Sequence, residues 1–135
     1  MNDRFTEKAR NAIEKARAAA MELGHSYIGT EHLLLGIVRE SDGLGSRVLR
    51  ENGFEEDLVL DLIEKTVGRG APGMPVQGLT PRCKRVIEIA VAEANRLRHS
   101  YVGTEHLLMG ILREPESTAA HLLTAAGGDL NKIYT

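Results

Sequence analysis

Apolar residues recur three or four positions apart along most of the chain, the spacing typical of amphipathic helices. The clearest case covers residues 6–23. Thr6 is a favourable N-cap for this helix, and Gly24 stands where a helix would stop. Its apolar stripe consists of Phe5, Ala9, Ala12, Ile13, Ala16, Ala20 and Leu23.

Three shorter helices are predicted to follow. The first begins with Thr30 as its N-cap and runs to about Glu40, the second starts at Leu44 and stops near Asn52, and the third covers about residues 55–67. Gly36 lies inside the first of these, as Gly110 does in the second half of the chain. A glycine there costs about 1 kcal/mol against alanine, so we expect it to permit close helix approach.

Residues 68–78 contain four glycines and two prolines, which favour a linker without regular structure. The helical pattern then starts again. Thr80 is a second N-cap, with Pro81 in the first helical position, where its missing N–H costs nothing. We therefore predict one domain containing a first repeat (residues 1–67), a linker (68–79) and a second repeat (80–135).

The duplication is plain at the level of residues. Residues 25–40 read HSYIGTEHLLLGIVRE, and residues 99–114 read HSYVGTEHLLMGILRE, 74 positions later. A short helix over about residues 117–126 and a last segment from Asp129 complete the second copy. The fold predicted is all-α, with two tandem four-helix repeats related by approximate two-fold symmetry. We expect the last helix of the second repeat to be truncated at Thr135, either because the second half lacks its final helix or because the chain was cut there.

Composition and charge argue against several classes of function. The formal net charge of −2 gives no electrostatic reason to expect nucleic acid. No apolar run approaches the roughly 20 residues of a membrane span, and the N-terminus lacks the apolar core of a signal peptide. One cysteine, Cys83, cannot form an internal disulfide. These features predict a soluble, cytoplasmic protein that binds neither nucleic acid nor membrane.

Glu31 and Glu105 stand at the start of the repeated helix, where a carboxylate is favoured by the helix dipole, typically by about 0.3–1 kcal/mol. Spacing alone leaves open whether they are structural or bind a ligand. Neighbouring histidines, such as His25 and His32, suggest a metal, but no metal-binding spacing supports one. Hydrogen-bonded, partly buried histidines are the expected alternative.

Catalysis is not indicated. The sequence contains no P-loop and no nucleophile motif, so we expect no enzyme activity, no metal and no cofactor in this chain. Cys83 lies on the apolar stripe of its helix and is predicted to be a core residue. Arg10 and Lys84 occupy equivalent positions, and ordinary solvated charge is the simplest interpretation of each.

The repeated Gly-Thr-Glu-His-Leu-Leu-x-Gly core resembles the Clp N-terminal (Clp R) domain, and so do the openings Phe-Thr-Glu-Lys-Ala and Leu-Thr-Pro-Arg. The likeness is closest to the ClpC type of AAA+ unfoldase. It implies a substrate- and adaptor-recognition module ahead of two ATPase modules and a partner peptidase, with ATP bound only in those absent modules. The implied partners are adaptors of the MecA type and unfolded or phosphoarginine-marked proteins.

The resemblance also implies site residues. Glu31 and Glu105 would bind the guanidinium of phosphoarginine in two symmetric sites, since a carboxylate can accept paired N–H bonds. The phosphate would lie near Thr6 and Arg10 in one site and near Thr80 and Lys84 in the other. A helix N-terminus and a nearby cation both suit an anion. Which glutamate faces which cation stays open.

Two departures from the family pattern bear on this interpretation. Leu79 stands where many members have an aromatic residue, and the shortened last helix affects the adaptor surface of the second repeat. The alternative function is a protein-docking or regulatory domain with no small-ligand site. A small hydrolase or metalloenzyme is a third hypothesis.

Overall fold

The structure, a computed structural model, describes residues 4–71 and 75–134. These residues form eight helices: α1 (Glu7–Glu22), α2 (Thr30–Arg39), α3 (Leu44–Glu51), α4 (Glu56–Thr66), α5 (Pro81–Arg96), α6 (Thr104–Leu112), α7 (Thr118–Ala125) and α8 (Leu130–Tyr134). Each of the last four begins 74 residues after its counterpart in the first four. The predicted all-α fold with two four-helix repeats is confirmed. The last helix, α8, has five residues where α4 has 11.

The two long helices begin as their sequences predict. The Thr6 hydroxyl accepts a hydrogen bond from the N–H of Ala9 at 3.0 Å, and the Thr80 hydroxyl accepts one from the N–H of Cys83 at 3.1 Å. Pro81 occupies the first helical position of α5. Each N-cap satisfies one of the N–H groups that a helix start leaves without a partner. Both predicted N-caps are confirmed.

Glycines allow the closest helix contacts. A Cβ atom on Gly36 would clash with the backbone carbonyl oxygen of Ala12 in α1, and one on Gly110 would clash with that of Val86 in α5. Only a residue without a side chain lets α2 lie this close to α1, and α6 this close to α5. The expected close approach is confirmed. The buried apolar side chains of both repeats form one continuous cluster, so the repeats share a core.

The repeats are also joined through the starts of α2 and α6, and here one prediction is wrong. The N-cap of α2 is Gly29, while Thr30 is the first helical residue. The Thr30 hydroxyl instead accepts a hydrogen bond from the N–H of Ala119 in α7 at 3.1 Å. Reciprocally, the Thr104 hydroxyl accepts one from the N–H of Gly45 in α3 at 2.9 Å. Each threonine therefore accepts a hydrogen bond from an N–H in the first turn of a helix of the other repeat.

The described parts of the predicted linker, residues 68–71 and 75–79, contain no helix. Its residues Pro72, Gly73 and Met74 lie outside the described residues. The rest is held against the loop between α1 and α2 by backbone hydrogen bonds. These run from Gly70 N to Leu23 O (2.8 Å), from Gln77 N to Ser26 O (2.7 Å) and from Ile28 N to Gly78 O (2.8 Å). The described parts of the linker are irregular but docked.

Candidate functional site

Two short extended pairings decide which residues meet. Ile28 pairs in parallel with Leu79, so that the N–H of Thr80 donates to the Ile28 carbonyl at 2.9 Å. The start of α5 therefore lies beside the start of α2. Glu31 and Thr80, from different repeats, line the same cavity. We call the cavity lined by Glu31, Thr80, Arg82 and Thr118 the Glu31 site.

The second pairing repeats this arrangement with the roles of the two repeats exchanged. Phe5 pairs in parallel with Val102, and the N–H of Thr6 donates to the Val102 carbonyl at 3.0 Å. The start of α1 therefore lies beside the start of α6, which carries Glu105. We call the region of Glu105 and Thr6 the Glu105 site. The start of each glutamate's helix therefore lies beside the N-cap threonine of the other repeat's long helix, an assignment that the sequence left open.

The Glu31 side chain folds back over the start of its own helix. Its carboxylate lies against Gly29, where a Cβ atom would overlap Oε1. Burial raises the pKa of Glu31, and a hydrogen bond from its own backbone N–H and the proximity of His25 oppose that effect. Within the described residues Glu31 has no ion-pair partner. A partly buried carboxylate without a cation is suited to binding one.

The cavity beside Glu31 has a volume of about 590 Å³ and mixed chemistry. It lies between the starts of α2, α5 and α7. Hydroxyl groups come from Thr80 and Thr118, a guanidinium from Arg82, and a second carboxylate from Glu116. The cavity can therefore meet a ligand that carries both hydrogen-bond donors and negative charge.

A pair of histidines supports the floor of this cavity. The N–H of Gly29 donates to His32 Nδ1 at 2.9 Å, so the proton of the neutral ring is on Nε2. His32 Nε2 lies 2.7 Å from His25 Nδ1, and His25 Nε2 lies 2.8 Å from the Gly68 carbonyl. With this tautomer, the His32 Nε2–H donates to His25 Nδ1, and the His25 Nε2–H donates to the Gly68 carbonyl. The interpretation of these histidines as hydrogen-bonded and partly buried is confirmed.

The neutral state of His32 is also favoured by its surroundings. Burial, followed by the proximity of His25, lowers the pKa of His32 from 6.5 to about 4. The second repeat has the same pair, with His106 Nε2 at 2.7 Å from His99 Nδ1. Burial likewise lowers the pKa of His106. Among the described residues, no group of three His, Cys, Asp or Glu side chains could hold a metal ion.

The surroundings of Glu105 combine apolar and charged side chains. A groove of about 390 Å³ beside Glu105 is lined by apolar residues of α3 and α8, including Leu44, Val48 and Ile133, and by the charged residues Glu51 and Lys132. Burial raises the pKa of Tyr101, and a hydrogen bond to the Glu105 carboxylate adds to that effect. The lining of this groove does not include Thr6 or Arg10.

The residues named from the sequence are therefore only partly brought together. Glu31 and Thr80 share a cavity, whereas the exposed side chains of Arg10 and Lys84 line neither the cavity nor the groove. Sequence reasoning missed Arg82, which does line the cavity. Its position two residues after the N-cap Thr80 was the available signal, because that position lies in the first helical turn.

Cys83 is fully buried, as predicted for a core residue. Burial, with a smaller contribution from the charge of Glu31, raises its pKa to about 12. A thiol this weakly acidic has almost no thiolate at neutral pH and is a poor nucleophile. The influence of Glu31 on Cys83 also agrees with the closeness of α2 and α5. In the described part of the chain, no helix is long and apolar enough to cross a membrane.

Comparison with known proteins places this geometry in a family. Residues 4–126 match the Clp repeat (R) N-terminal domain. The ClpC/MecB negative regulator of genetic competence from Bacillus subtilis (strain 168) is 45% identical over 132 residues, 98% of this chain and 16% of that protein. The chain therefore belongs to the Clp repeat N-terminal domain family. It spans about 16% of the length of that curated relative.

Solved structures show the same fold. The N-terminal domain of ClpD from Arabidopsis thaliana superposes with a TM-score of 0.81 at 24% identity, covering 98% of this chain and 93% of that one. A ClpV N-domain solved in complex with a VipB peptide gives a TM-score of 0.75 at 18% identity, covering 97% and 82% of the two chains.

Proposed function

We propose that this domain docks adaptors and protein substrates for a ClpC-type ATP-driven unfoldase, and that it binds phosphoarginine on marked substrates. Membership of the Clp N-terminal domain family supports the docking role. The ClpV N-domain, which has the same fold, was solved with a peptide, which agrees with protein binding. Adaptors of the MecA type and unfolded chains are the partners that this role requires.

The single observation that carries the phosphoarginine proposal is the position of Glu31. Its partly buried carboxylate has no ion-pair partner among the described residues and lines a cavity opposite Thr80 and Arg82. A guanidinium group offers parallel N–H donors that match the two oxygens of a carboxylate. We assign Glu31 to the guanidinium end of the ligand for this reason.

The phosphate end is assigned to the start of α5. A helix N-terminus attracts anions through its unpaired N–H groups and its dipole. Arg82 lines the cavity, and Lys84 lies one turn into the same helix. A plain carboxylate ligand would be repelled by Glu31, and a plain cation by Arg82. A ligand with a guanidinium-derived group and a phosphate satisfies both ends.

The Glu105 site is the counterpart of the Glu31 site, with the roles of the two repeats exchanged. Glu105 would accept the guanidinium N–H groups, and the phosphate would lie at the start of α1 near Thr6 and Arg10. The parallel pairing of Phe5 with Val102 supports this assignment, because it brings the two helix starts together. The domain would then hold two marked arginines, one at each junction between repeats.

Calorimetric titration with free phosphoarginine tests the proposal, with arginine and inorganic phosphate titrated separately. We expect heat from phosphoarginine alone, and its loss in the double variant Glu31→Gln plus Glu105→Gln. The exposed Glu88 of α5 supplies the matched control, since Glu88→Gln removes the same charge from the surface. Binding that is unchanged in the double variant would refute the site assignment.

The alternative is a protein-docking domain without a small-ligand site. The groove beside Glu105 favours it, because Leu44 and Tyr101 are 49% and 40% exposed there. No heat from phosphoarginine in the wild-type domain, combined with adaptor binding that survives the double variant, would establish this function instead.

A further inference from the structure

We infer that the two sites bind phosphoarginine unequally, and that Arg82 and Thr118 make the Glu31 site the stronger of the two. This inference rests on the proposed function and adds to it the residues that set affinity. It follows from differences between side chains at equivalent positions of the two repeats.

The first difference is charge at the helix start that would receive the phosphate. The first turn of α5 contains no acidic residue, and Pro81 occupies its first position. The first turn of α1 contains Glu7 at the equivalent position. A phosphate at α1 therefore approaches a carboxylate that is absent at α5. Like charges within a few ångströms weaken anion binding at a partly exposed site.

The second difference is the availability of the cation two residues after the N-cap. Arg82 Nη1 lies 3.8 Å from Glu114 Oε1, a long contact, while Glu114 Oε2 is 2.9 Å from Arg85 Nε. Glu114 is therefore neutralised mainly by Arg85, and Arg82 is held only loosely at the cavity. The equivalent residue in the first repeat, Lys8, donates to the Asp42 carbonyl at 3.1 Å. Lys8 does not line the groove beside Glu105, and the lysine that does, Lys132, belongs to α8 and not to the helix start that would receive the phosphate.

The third difference is at the start of α7 and its counterpart α3. Thr118 places a hydroxyl in the lining of the Glu31 cavity, and the equivalent residue beside Glu105 is Leu44. A threonine hydroxyl can donate a hydrogen bond to a phosphate oxygen, and leucine cannot. Glu116 opposes phosphate binding in the cavity, and Glu51 lines the groove beside Glu105. Each site therefore has one further carboxylate, and these acids do not distinguish the two sites by charge.

Single-site variants allow each affinity to be measured separately by calorimetry with phosphoarginine. Glu105→Gln leaves the Glu31 site, and Glu31→Gln leaves the Glu105 site. We expect the Glu31 site to bind at least about tenfold more tightly, the change expected from one additional hydrogen bond to a charged group. Equal affinities, or tighter binding at the Glu105 site, would overturn the inference and leave the proposed function intact. No heat in the wild-type domain would remove both.

Substitutions that exchange the two environments test the assigned residues. In the Glu105→Gln background, Arg82→Gln and Thr118→Leu should each weaken binding about tenfold or more. The exposed Arg17 of α1 supplies the control, because Arg17→Gln changes the net charge equally away from the cavity. In the Glu31→Gln background, Glu7→Gln plus Leu44→Thr should tighten binding. Unchanged affinity in Arg82→Gln and Thr118→Leu, with native circular dichroism, would show that these residues do not contact the ligand.

Discussion

The hydroxyl of Thr30 in the first repeat accepts a hydrogen bond from the backbone N–H of Ala119 in the second, at 3.1 Å. Thr104 makes the reciprocal bond to Gly45 at 2.9 Å. Both threonines are buried, so water cannot replace either bond. Each repeat thus completes a helix start of the other, and the threonines that do so directly precede the two candidate glutamates in α2 and α6.

Replacing Thr30 with valine should therefore destabilise the domain. The substitution keeps the shape of the side chain but leaves the N–H of Ala119 buried without its partner, at a cost of about 1–2 kcal/mol. Chemical denaturation of the two proteins measures the difference in free energy of unfolding. Thr30→Ser retains the hydroxyl and should lose less than Thr30→Val. Equal losses in the two variants would show that the methyl group matters and the hydrogen bond does not.

Arg98 is the one non-glycine residue with a positive φ angle in the described chain, at 61°. Its counterpart at the end of α1 is Gly24, with φ of 72°. A left-handed conformation after a helix suits glycine, because a side chain there meets the backbone. We predict that Arg98→Gly raises the free energy of unfolding by about 0.5–1 kcal/mol. Arg98→Ala should give no such gain, and a similar gain from alanine would point to the arginine side chain as the cause.

Stability should fall in mild acid because of His32. Its pKa is about 4 in the folded domain and near 6.5 when unfolded, so the unfolded chain binds more protons between these values. The contribution of His32 to the free energy of unfolding is therefore complete above pH 6.5. It is lost as the pH falls towards 4, by up to about 3 kcal/mol. Glu31, whose pKa is raised, contributes in the opposite direction.

A comparison of variants isolates the histidine contribution. His32→Asn keeps an acceptor for the N–H of Gly29 but cannot titrate, so its stability should change less between pH 6.5 and 4. His121→Asn removes an exposed histidine of α7 and should retain the wild-type slope. Urea denaturation at several pH values gives these slopes. Parallel slopes for His32→Asn and the wild type would rule out the assignment.

The elements of the fold could be predicted from the sequence because each depends on local chemistry. Helical periodicity, the N-caps Thr6 and Thr80, and the glycines at close helix contacts all act within a few residues of themselves. Thr30 was misassigned because Gly29 starts α2 with extended backbone, while the threonine hydroxyl binds a helix 89 residues away. No local pattern reports such a bond.

The candidate site could likewise be predicted where it depends on local sequence, but not where it depends on tertiary contacts. Glu31 and Glu105 were found from their repeated position at a helix start, but their neighbours come from the other repeat. Pairing of Ile28 with Leu79 decides that Glu31 meets Thr80 and Arg82, and this pairing is a tertiary contact. The sequence also could not predict that Thr118 would line the cavity beside Glu31, or that its counterpart Leu44 would line the groove beside Glu105.

The central claim is that the cavity formed by Glu31, Thr80 and Arg82 binds phosphoarginine, and amide NMR spectra recorded during a titration test it most directly. We predict that the backbone signals of Glu31 and Cys83 shift first, followed at higher ligand concentration by those of Glu105 and Ala9 at the second site. Arginine and phosphate, added singly, should leave these signals in place. Shifts confined to the groove between α3 and α8, or none at all, would contradict the account.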